Sequence, residues 1–429
     1  MGRVLARLAA ATLVAIGLAG ATACSEQGGA KGDPEKTGAD RAPVQVFSPL
    51  PSNLDRPAAP SEKLDRLKRE QGSDNIGLVI FNARALTEAP PNSLRALALP
   101  QGRLDSTTRQ VTDLSEGRKL WTGRITAAGL PPGEATLVVD GANATGTISA
   151  PDGRQFKVQP VGDGTTAIIQ MDYGKLPQEE PSGHPRLQAP GGAPDVAPKA
   201  AAPGPAADAG PPTLDLLVGY TASAAASSGG IDSLIDVAVA ETNQSFANSG
   251  VNARVRLAGK MVAPIIEGSN DFEAILAAFV RNPAVNATRS ATRADVAVLI
   301  INKTDYCGLA NDIKASAATA FAIVHYGCAT GYYSFGHEIG HLVGARHDRT
   351  VDPANAPYVD GHGFIHHGTG AAGWRTVMGY GCDDGSCDRR IPYWSNPAVK
   401  YRGFPTGSAG TENNARVWTE QAAAMAAFR

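Results

Sequence analysis

The stretch 337–348, HEIGHLVGARHD, restricts the fold of this 429-residue chain more than any other feature. His337 and His341 are four residues apart, so on a helix both imidazoles lie on one face and can reach the same metal ion. A continuing helix would carry His347 away from that ion. Gly344 can adopt a left-handed conformation that ends the helix and turns the chain back. We therefore predict a helix that ends at Gly344 and a site of three histidines.

Three histidine ligands and an open coordination position are typical of catalytic zinc, because the fourth position of the ion is left to water. Glu338 lies beside the first histidine on the helix, where its carboxylate can contact the bound water rather than the metal. The predicted cofactor is Zn²⁺, with Glu338 as the general base. The alternative, histidines of an ordinary buried core, requires the same spacing to arise by chance.

The five positions of this pattern match H-E-x-x-H-x-x-G-x-x-H, the zinc motif of the metzincin metallopeptidases, which the chain therefore resembles. Asp348 extends the match toward the reprolysin-like branch, where the corresponding residue supports the site from behind without binding metal. Three further segments are similar to bacterial enzymes of this branch, which include the peptidyl-aspartate metalloendopeptidases: 376–380, 391–397 and 412–428. The resemblance implies a zinc endopeptidase. Gly379 stands where we expect serine in the closest relatives, which leaves the subfamily open.

The same resemblance implies roles for Met378 and Tyr380. In metzincins a methionine-containing turn lies beneath the three histidines as an apolar support that does not bind the metal. Tyr380 matches a tyrosine that astacin-like and serralysin-like enzymes place near the zinc, where its hydroxyl can stabilise an oxyanion. The alternative is an ordinary core or rim tyrosine, since other metzincins lack this residue. The family also adds its substrate to an edge strand before the active helix, a role that 320–326 fits by position.

Apolar periodicity predicts an α/β (α+β) fold for the catalytic domain, 213–429. Strand-like runs alternate with segments whose apolar residues recur at helical spacing, as at 231–248 and 271–281. This alternation predicts a mainly parallel, twisted mixed sheet covered by helices. The resemblance adds an active-site helix and a methionine turn.

A small, mainly β domain is predicted for 75–176. Its short strand-like runs are separated by Asp-Gly and Pro-Gly turns and lie at 76–81, 136–140, 144–150, 156–160 and 165–172. Residues 177–212 are dominated by Pro, Ala and Gly and predict a linker. A β domain joined by a linker to a metzincin-like unit resembles a propeptide that covers the cleft until the linker is cut.

No cysteine lies between residues 25 and 306, so a propeptide thiolate cannot silence the zinc. His184, Glu179 and Glu180 are candidates for a substitute ligand. Simple steric cover is an equal alternative, and His184 can also be read as a solvated loop histidine.

Residues 1–23 have the features of a secretory signal, with arginines before an apolar run that is too short to span a membrane. Two interpretations compete at its end. Ala21 and Ala23 suit an ordinary signal peptidase, whereas a small residue before Cys24 resembles the lipobox of bacterial lipoproteins, whose cysteine is acylated. Composition predicts a disordered tether for 24–74. We expect an exported protein, either a cell-surface lipoprotein precursor or one that is secreted after linker cleavage.

The chain has five cysteines, and four of them fall in its C-terminal half. Four cysteines allow three pairings, and proximity in sequence favours Cys307 with Cys328 and Cys382 with Cys387. These pairs suit an oxidising environment and leave Cys24 as the odd cysteine, which supports its acylation.

A formal net charge of −2 offers no basic surface for nucleic acid. The partners that we expect are protein or peptide substrates, no nucleic acid, and a membrane only through a lipid on Cys24, with the chain as a monomer. Relatives that cut before aspartate need a cationic pocket, for which the candidates are Arg346, Arg375, Arg389, Arg390 and Lys400. Under that preference, self-cleavage sites near the linker would be Asp195, Asp208 and Asp215.

Two other functions are compatible with parts of this pattern. One is a broad-specificity secreted protease, which only substrate profiling separates from an aspartate-directed enzyme. The other is a catalytically idle, surface-anchored zinc-binding protein, for which loss of the glutamate would be the expected trace. Glu338 is present.

Overall fold

The computed structural model of the protein describes residues 42–50, 62–70, 72–100, 102–162, 164–180, 184–189, 210–368 and 372–429. The predicted signal peptide, Cys24 and most of the predicted linker lie outside these residues. Within the described segments, no helix has the length and apolarity needed to cross a membrane.

The N-terminal region is a ten-stranded sheet. Its strands are β1 (Val44–Gln45), β2 (Phe47–Pro49), β3 (Ser73–Phe81), β4 (Leu94–Leu99), β5 (Gly102–Asp113), β6 (Lys119–Ile125), β7 (Gly133–Asp140), β8 (Asn143–Ser149), β9 (Gln155–Gly162) and β10 (Thr165–Met171). Two helices accompany it, α1 (Glu62–Arg69) and α2 (Arg84–Thr87). Strands β4 to β10 form an antiparallel meander, and β10 continues to β3. Fully buried apolar side chains, such as Trp121 and Phe156, fill its core.

Residues 44–49 join the two ends of this sheet. β1 pairs with β4 at one end and β2 pairs with β3 at the other. Between the two strands, the amide of Val46 donates to Ala96 O, and Val46 O accepts from the amide of Asn82. The prediction of a disordered tether for 24–74 was therefore wrong for β1, β2 and α1. The six residues 44–49 are enough to pair with both edges of the sheet. A segment this short hardly changes the average composition of 24–74, which is why composition did not predict these strands.

Strands β4 to β6 were also missed, since the sequence predicted strands only at 76–81 and beyond 135. The predicted strands at 136–140, 144–150, 156–160 and 165–172 correspond to β7–β10. β5 is largely polar, with the sequence GRLDSTTRQVTD and few buried positions. It forms a strand because it pairs with β4 and β6, and its own sequence has no hydrophobic pattern that predicts one.

The C-terminal region is a five-stranded sheet with helices. In chain order the elements are β11 (Thr213–Tyr220), α3 (Ala222–Ser227), α4 (Ile231–Ser249), β12 (Arg254–Val262), α5 (Phe272–Arg281), α6 (Pro283–Ala291), β13 (Val296–Ile301), β14 (Gly308–Ala310), β15 (Phe321–His325), α7 (Tyr326–Ala329), α8 (Ser334–Val343), β16 (Ile365–His366), β17 (Trp374–Arg375), β18 (Lys400–Tyr401), β19 (Phe404–Pro405) and α9 (Asn414–Met425). The alternation of strands and helices confirms a mixed α/β domain.

The five strands lie in the order β12-β11-β13-β15-β14, and every pair is parallel except β14 with β15. The expectation that 320–326 forms the edge was wrong, because β15 has a partner on both sides. The edge strand on this side of the sheet is β14, and the opposite edge is β12. The three residues of β14, Gly-Leu-Ala, are too few to give a periodic signal.

The two sheets pack together, and residues 42–429 form one compact unit. α4 lies between them. The N-terminal Arg118, itself buried, donates from Nε to Asp236 on α4 over 2.7 Å, and Lys260 pairs with Glu116 at 2.8 Å.

Candidate metal centre

The three histidines converge on one point. His337 and His341 lie one turn apart on the fully buried helix α8, which ends at Gly344 with a φ of 116°. The turn brings His347 back to the helix. The Nε2 atom of His341 lies 3.1 Å from that of His337 and 2.9 Å from that of His347, and the Nε2 atoms of His337 and His347 are 3.1 Å apart.

The opposite ring nitrogens fix the orientation of two imidazoles. Nδ1 of His337 donates to the carbonyl of Val377 at 2.8 Å, and Nδ1 of His341 donates to the carbonyl of Ala345 at 3.0 Å. With the proton on Nδ1, each ring turns the lone pair of Nε2 inward. Burial, together with the neighbouring positive or imidazole groups, holds the pKa of each of the three histidines well below its ordinary value. Neutral imidazoles with convergent lone pairs fit a zinc ion.

Glu338 follows the first histidine and is buried. Burial, and then the nearby carboxylate of Glu179, raises the pKa of Glu338 well above its ordinary value. Its Oε1 atom has no hydrogen-bond partner among the described residues. A β-carbon on Gly308 of β14 would lie 2.3 Å from this oxygen, so the edge strand leaves room for Glu338 only because residue 308 is glycine. The arrangement leaves a carboxylate oxygen available to a water in the site.

The other predicted site residues lie around the histidines. Asp348 Oδ2 accepts a hydrogen bond of 2.8 Å from the amide of Tyr380. This bond connects the loop after His347 to the segment that follows Met378. Met378 is fully buried in a turn that packs against Gly340 of α8. If residue 340 had a β-carbon, that atom would lie 3.1 Å from Sδ of Met378. The ring of Tyr380 lies 4.6 Å from that of His347, centroid to centroid.

The two disulfide bonds have the predicted connectivity. Cys307 bonds to Cys328, with Cα atoms 5.4 Å apart, and links the start of β14 to α7. Cys382 bonds to Cys387 in the loop after Tyr380. Both bonds hold segments that border the site.

Part of the predicted linker crosses the site. We call residues 177–180 and 184–189 the strap. The amide of Cys307 donates to Gln178 O at 2.8 Å, and the amide of Arg186 donates to Asn311 O at 2.7 Å. The strap therefore runs beside β14 in the same direction and covers the edge of the sheet. Nδ1 of His184 lies 2.7 Å from Ala310 O, and the His184 ring is 4.7 Å from that of His341.

Glu179 is the strap carboxylate that enters the histidine site. It is 4% exposed, and its Oε1 atom accepts hydrogen bonds from Ser334 Oγ at 2.6 Å and from Arg390 Nη1 at 2.5 Å. Ligand atoms of Glu179, His337 and Glu338 all lie within 4.8 Å of one another. Glu180 instead interacts with the Tyr306 hydroxyl.

Sequence reasoning did not find Ser334 or single out Arg390. The only signal for Ser334 is its position one turn before Glu338 on the active helix. Arg390 was one of five candidate cations, and nothing in its neighbours in sequence distinguishes it. Both residues become recognisable when the strap places a carboxylate between them.

Comparisons with known proteins agree with this geometry. The model of Metallo-peptidase family M12, Reprolysin_5, matches residues 211–395. A protein of Xanthomonas campestris pv. campestris called "Peptidyl-Asp metalloendopeptidase" is 36% identical over 87% of this chain and 90% of its own length. One of the same name from Stenotrophomonas maltophilia (strain R551-3) is 37% identical over 90% of this chain and 94% of its own length. Alignments of this length include the N-terminal sheet.

Proposed function

Since this chain belongs to the family of the peptidyl-Asp metalloendopeptidases, within metallopeptidase family M12, and is a zinc metalloendopeptidase, we propose that it cuts before aspartate and is made as a latent precursor. The observation that carries the chemistry is the convergence of three histidine Nε2 atoms beside the unpartnered Oε1 of Glu338. The names of the relatives support the aspartate preference.

The residues of the site divide the reaction between them. Zn²⁺ held by His337, His341 and His347 would polarise a peptide carbonyl and make its bound water acidic. Glu338 takes the proton of the attacking water and delivers it to the leaving amine. The hydroxyl of Tyr380 donates to the main-chain carbonyl of Glu179 at 2.5 Å. It is thus placed to donate to a substrate carbonyl and stabilise the oxyanion.

Latency is supported by the path of the strap. Its main chain uses hydrogen-bonding groups next to the β14 edge, to which an extended substrate would add itself. Its Glu179 side chain occupies the space beside the general base. While the strap is in place, a substrate cannot reach either feature.

The N-terminal region also contacts the segment just before the active helix α8. Tyr173 donates from its hydroxyl to Gly331 O at 3.0 Å, and Gln155 donates to the hydroxyl of Tyr333 at 3.1 Å. Both contacts reach the segment that leads into α8. We propose that the sheet is a propeptide domain, that the methionine turn at Met378 supports the histidines, and that cutting between residues 189 and 210 releases the catalytic domain.

Self-cleavage is compatible with Asp195 and Asp208, which lie between the strap and β11. Asp215 is a poor site. It lies inside β11, paired with β12 on one side and β13 on the other, and accepts two hydrogen bonds of 2.7 Å from Arg256. Its chain would have to leave the sheet to enter a cleft. The N-terminus of the mature enzyme tests this assignment.

Export remains a proposal that rests on the sequence of residues 1–24. If Cys24 is acylated, the anchor belongs to the precursor, and cutting the linker frees the enzyme from the cell surface. Membrane and medium fractions probed separately for each half test this order. A mature enzyme that stays with the membrane would contradict it.

The test of the proposed function is cleavage of a mixed peptide library by the purified, zinc-loaded chain and by Glu338→Ala, after the linker has been opened with another protease. We expect cuts before aspartate that disappear in the variant, while its zinc content stays unchanged. Cuts without regard to aspartate would show a broad-specificity protease. No cutting by either form would favour the idle zinc-binding protein.

A further inference from the structure

Arg390 is a buried arginine whose position is fixed. Its side chain is 1% exposed. Nε donates to Val377 O at 2.8 Å, Nη1 donates to Tyr332 O at 2.9 Å, and the guanidinium carbon lies 4.7 Å from the centre of the Tyr332 ring. Nη2 contacts Val377 O and Nδ1 of His337. Carbonyls on two segments, an aromatic face and one of the three histidines thus hold the guanidinium, and Nη1 remains directed at the strap.

The strap supplies the counter-ion. Nη1 of Arg390 lies 2.5 Å from Glu179 Oε1, and among the described residues no other carboxylate forms an ion pair with this arginine. The Ser334 hydroxyl donates to the same oxygen. When the strap leaves, the guanidinium loses this carboxylate. A substrate carboxylate that takes the place of Glu179 restores the ion pair with Arg390 and the hydrogen bond from Ser334.

The other candidate cations are engaged elsewhere. Arg375 donates to the main-chain carbonyls of Cys387 and Asp388 and to the Tyr332 hydroxyl. Arg346 pairs with Asp352 at 2.7 Å. Arg389 donates to the carbonyl of Asp152 in the N-terminal region. Lys400 is exposed at the start of β18. None of these four donates to a carboxylate beside the histidines.

There is room for a side chain next to Arg390. A cavity of about 270 Å³ lies between the strap and the loop after Met378. Its lining includes Tyr332, Arg375, Tyr380 and Arg390. Glu179 also lines this cavity, so an acidic side chain that entered it would meet Arg390 from the side that Glu179 now occupies.

We infer that Arg390 and Ser334 form the pocket that recognises the carboxylate of the substrate residue after the cleaved bond, and that Glu179 occupies this pocket in the precursor. The inference rests on the proposed function and names the residues behind its specificity. A site built around a charged hydrogen bond rejects an uncharged analogue far more strongly than an apolar pocket does, because the buried donor is then left unpaired. Asparagine has the shape of aspartate without its charge.

The experiment uses the full chain, zinc-loaded and opened at the linker, with two peptides that differ only in Asp or Asn after the cleaved bond. For the wild type we expect kcat/KM to favour Asp by on the order of 10²-fold or more. Arg390→Gln should bring this ratio close to one by losing the Asp peptide. Ser334→Ala should reduce it by about ten-fold, as expected for one hydrogen bond to a charged group. Arg389→Gln is the matched control and should keep the wild-type ratio.

Binding gives a readout that does not depend on turnover. In the Glu338→Ala background, fluorescence anisotropy of the same peptides should show the Asp preference, and adding Arg390→Gln should abolish it. If Arg390→Gln does not fold, as judged by circular dichroism, Ser334→Ala and Arg390→Lys carry the test, and both should lower the ratio.

The outcomes separate this inference from the proposed function. A wild type that prefers Asp while Arg390→Gln keeps the full preference overturns the inference alone, as does loss of the preference in Arg389→Gln. A wild type that cuts Asp and Asn peptides equally contradicts the proposed specificity and the pocket together. If the wild type cuts neither peptide, the proposed function fails, and equal anisotropy for the two peptides then overturns the pocket as well.

Discussion

Replacing Glu179 by glutamine should make the precursor leak. The glutamine keeps the size of the side chain and one acceptor oxygen, but it removes the charge that faces Arg390 Nη1 at 2.5 Å and Ser334 Oγ at 2.6 Å. Hydrogen bonds to charged groups contribute about 1.5–3 kcal/mol each. Because the amide retains part of both bonds, we expect the strap to bind about 2 kcal/mol more weakly. That loss corresponds to a roughly 30-fold larger fraction of precursor with an open cleft.

The assay is the initial rate of the intact, zinc-loaded precursor on an internally quenched peptide, with intact mass confirming that the linker is uncut. Glu180→Gln is the matched control, because Glu180 interacts with Tyr306 rather than with the histidine site. Hydrogen exchange at the amide of Cys307, which donates to Gln178 O at 2.8 Å, gives a second measurement of strap opening. Equal leak rates and equal exchange in the two variants would refute the view that Glu179 fastens the strap.

Three further predictions concern catalysis, the turn and pH. Glu338→Ala should lower kcat by about 10²- to 10⁴-fold with unchanged zinc content, measured by metal analysis; activity near wild type would exclude it as the base. Gly344→Ala should destabilise the fold by about 1–3 kcal/mol and reduce zinc content, because φ is 116° and the added carbon would lie 2.8 Å from the Tyr358 ring; denaturant melts test this. Burial raises the pKa of Glu241 from 4.5 to about 7; this residue lies on α4 and accepts a hydrogen bond from Thr147 of β8. The folded state therefore binds this proton more tightly than the unfolded state does. The proton's contribution to the free energy of unfolding, about 3 kcal/mol, is complete below pH 4.5 and is lost as the pH rises through 7. Glu241→Gln should remove that slope from melts of the precursor, and an unchanged slope would assign it to other groups.

Local geometry explains which parts of the site could be predicted. The positions of His337, Glu338 and His341 follow from the period of a helix, and Gly344 marks its end through its own conformational freedom. The pairing of cysteines five residues apart, Cys382 with Cys387, is similarly local. These features depend on residues that are close in the chain, so the sequence contains them.

The sequence by itself determined which three histidines converge, that a glutamate lies beside the first of them, the mixed α/β character of the C-terminal region and the lack of any cysteine between residues 25 and 306. Tertiary structure decided that 44–49 closes the first sheet, that β14 is the edge strand beside the active helix, and that Glu179, rather than Glu180, reaches the histidines. It also decided which of five cations faces that carboxylate. Arg390 and Glu179 are 211 residues apart, and no periodicity or composition connects them. They are in contact only because the strap runs along β14 and the loop after Met378 folds back over the active helix. The packing of the whole domain brings these two segments together.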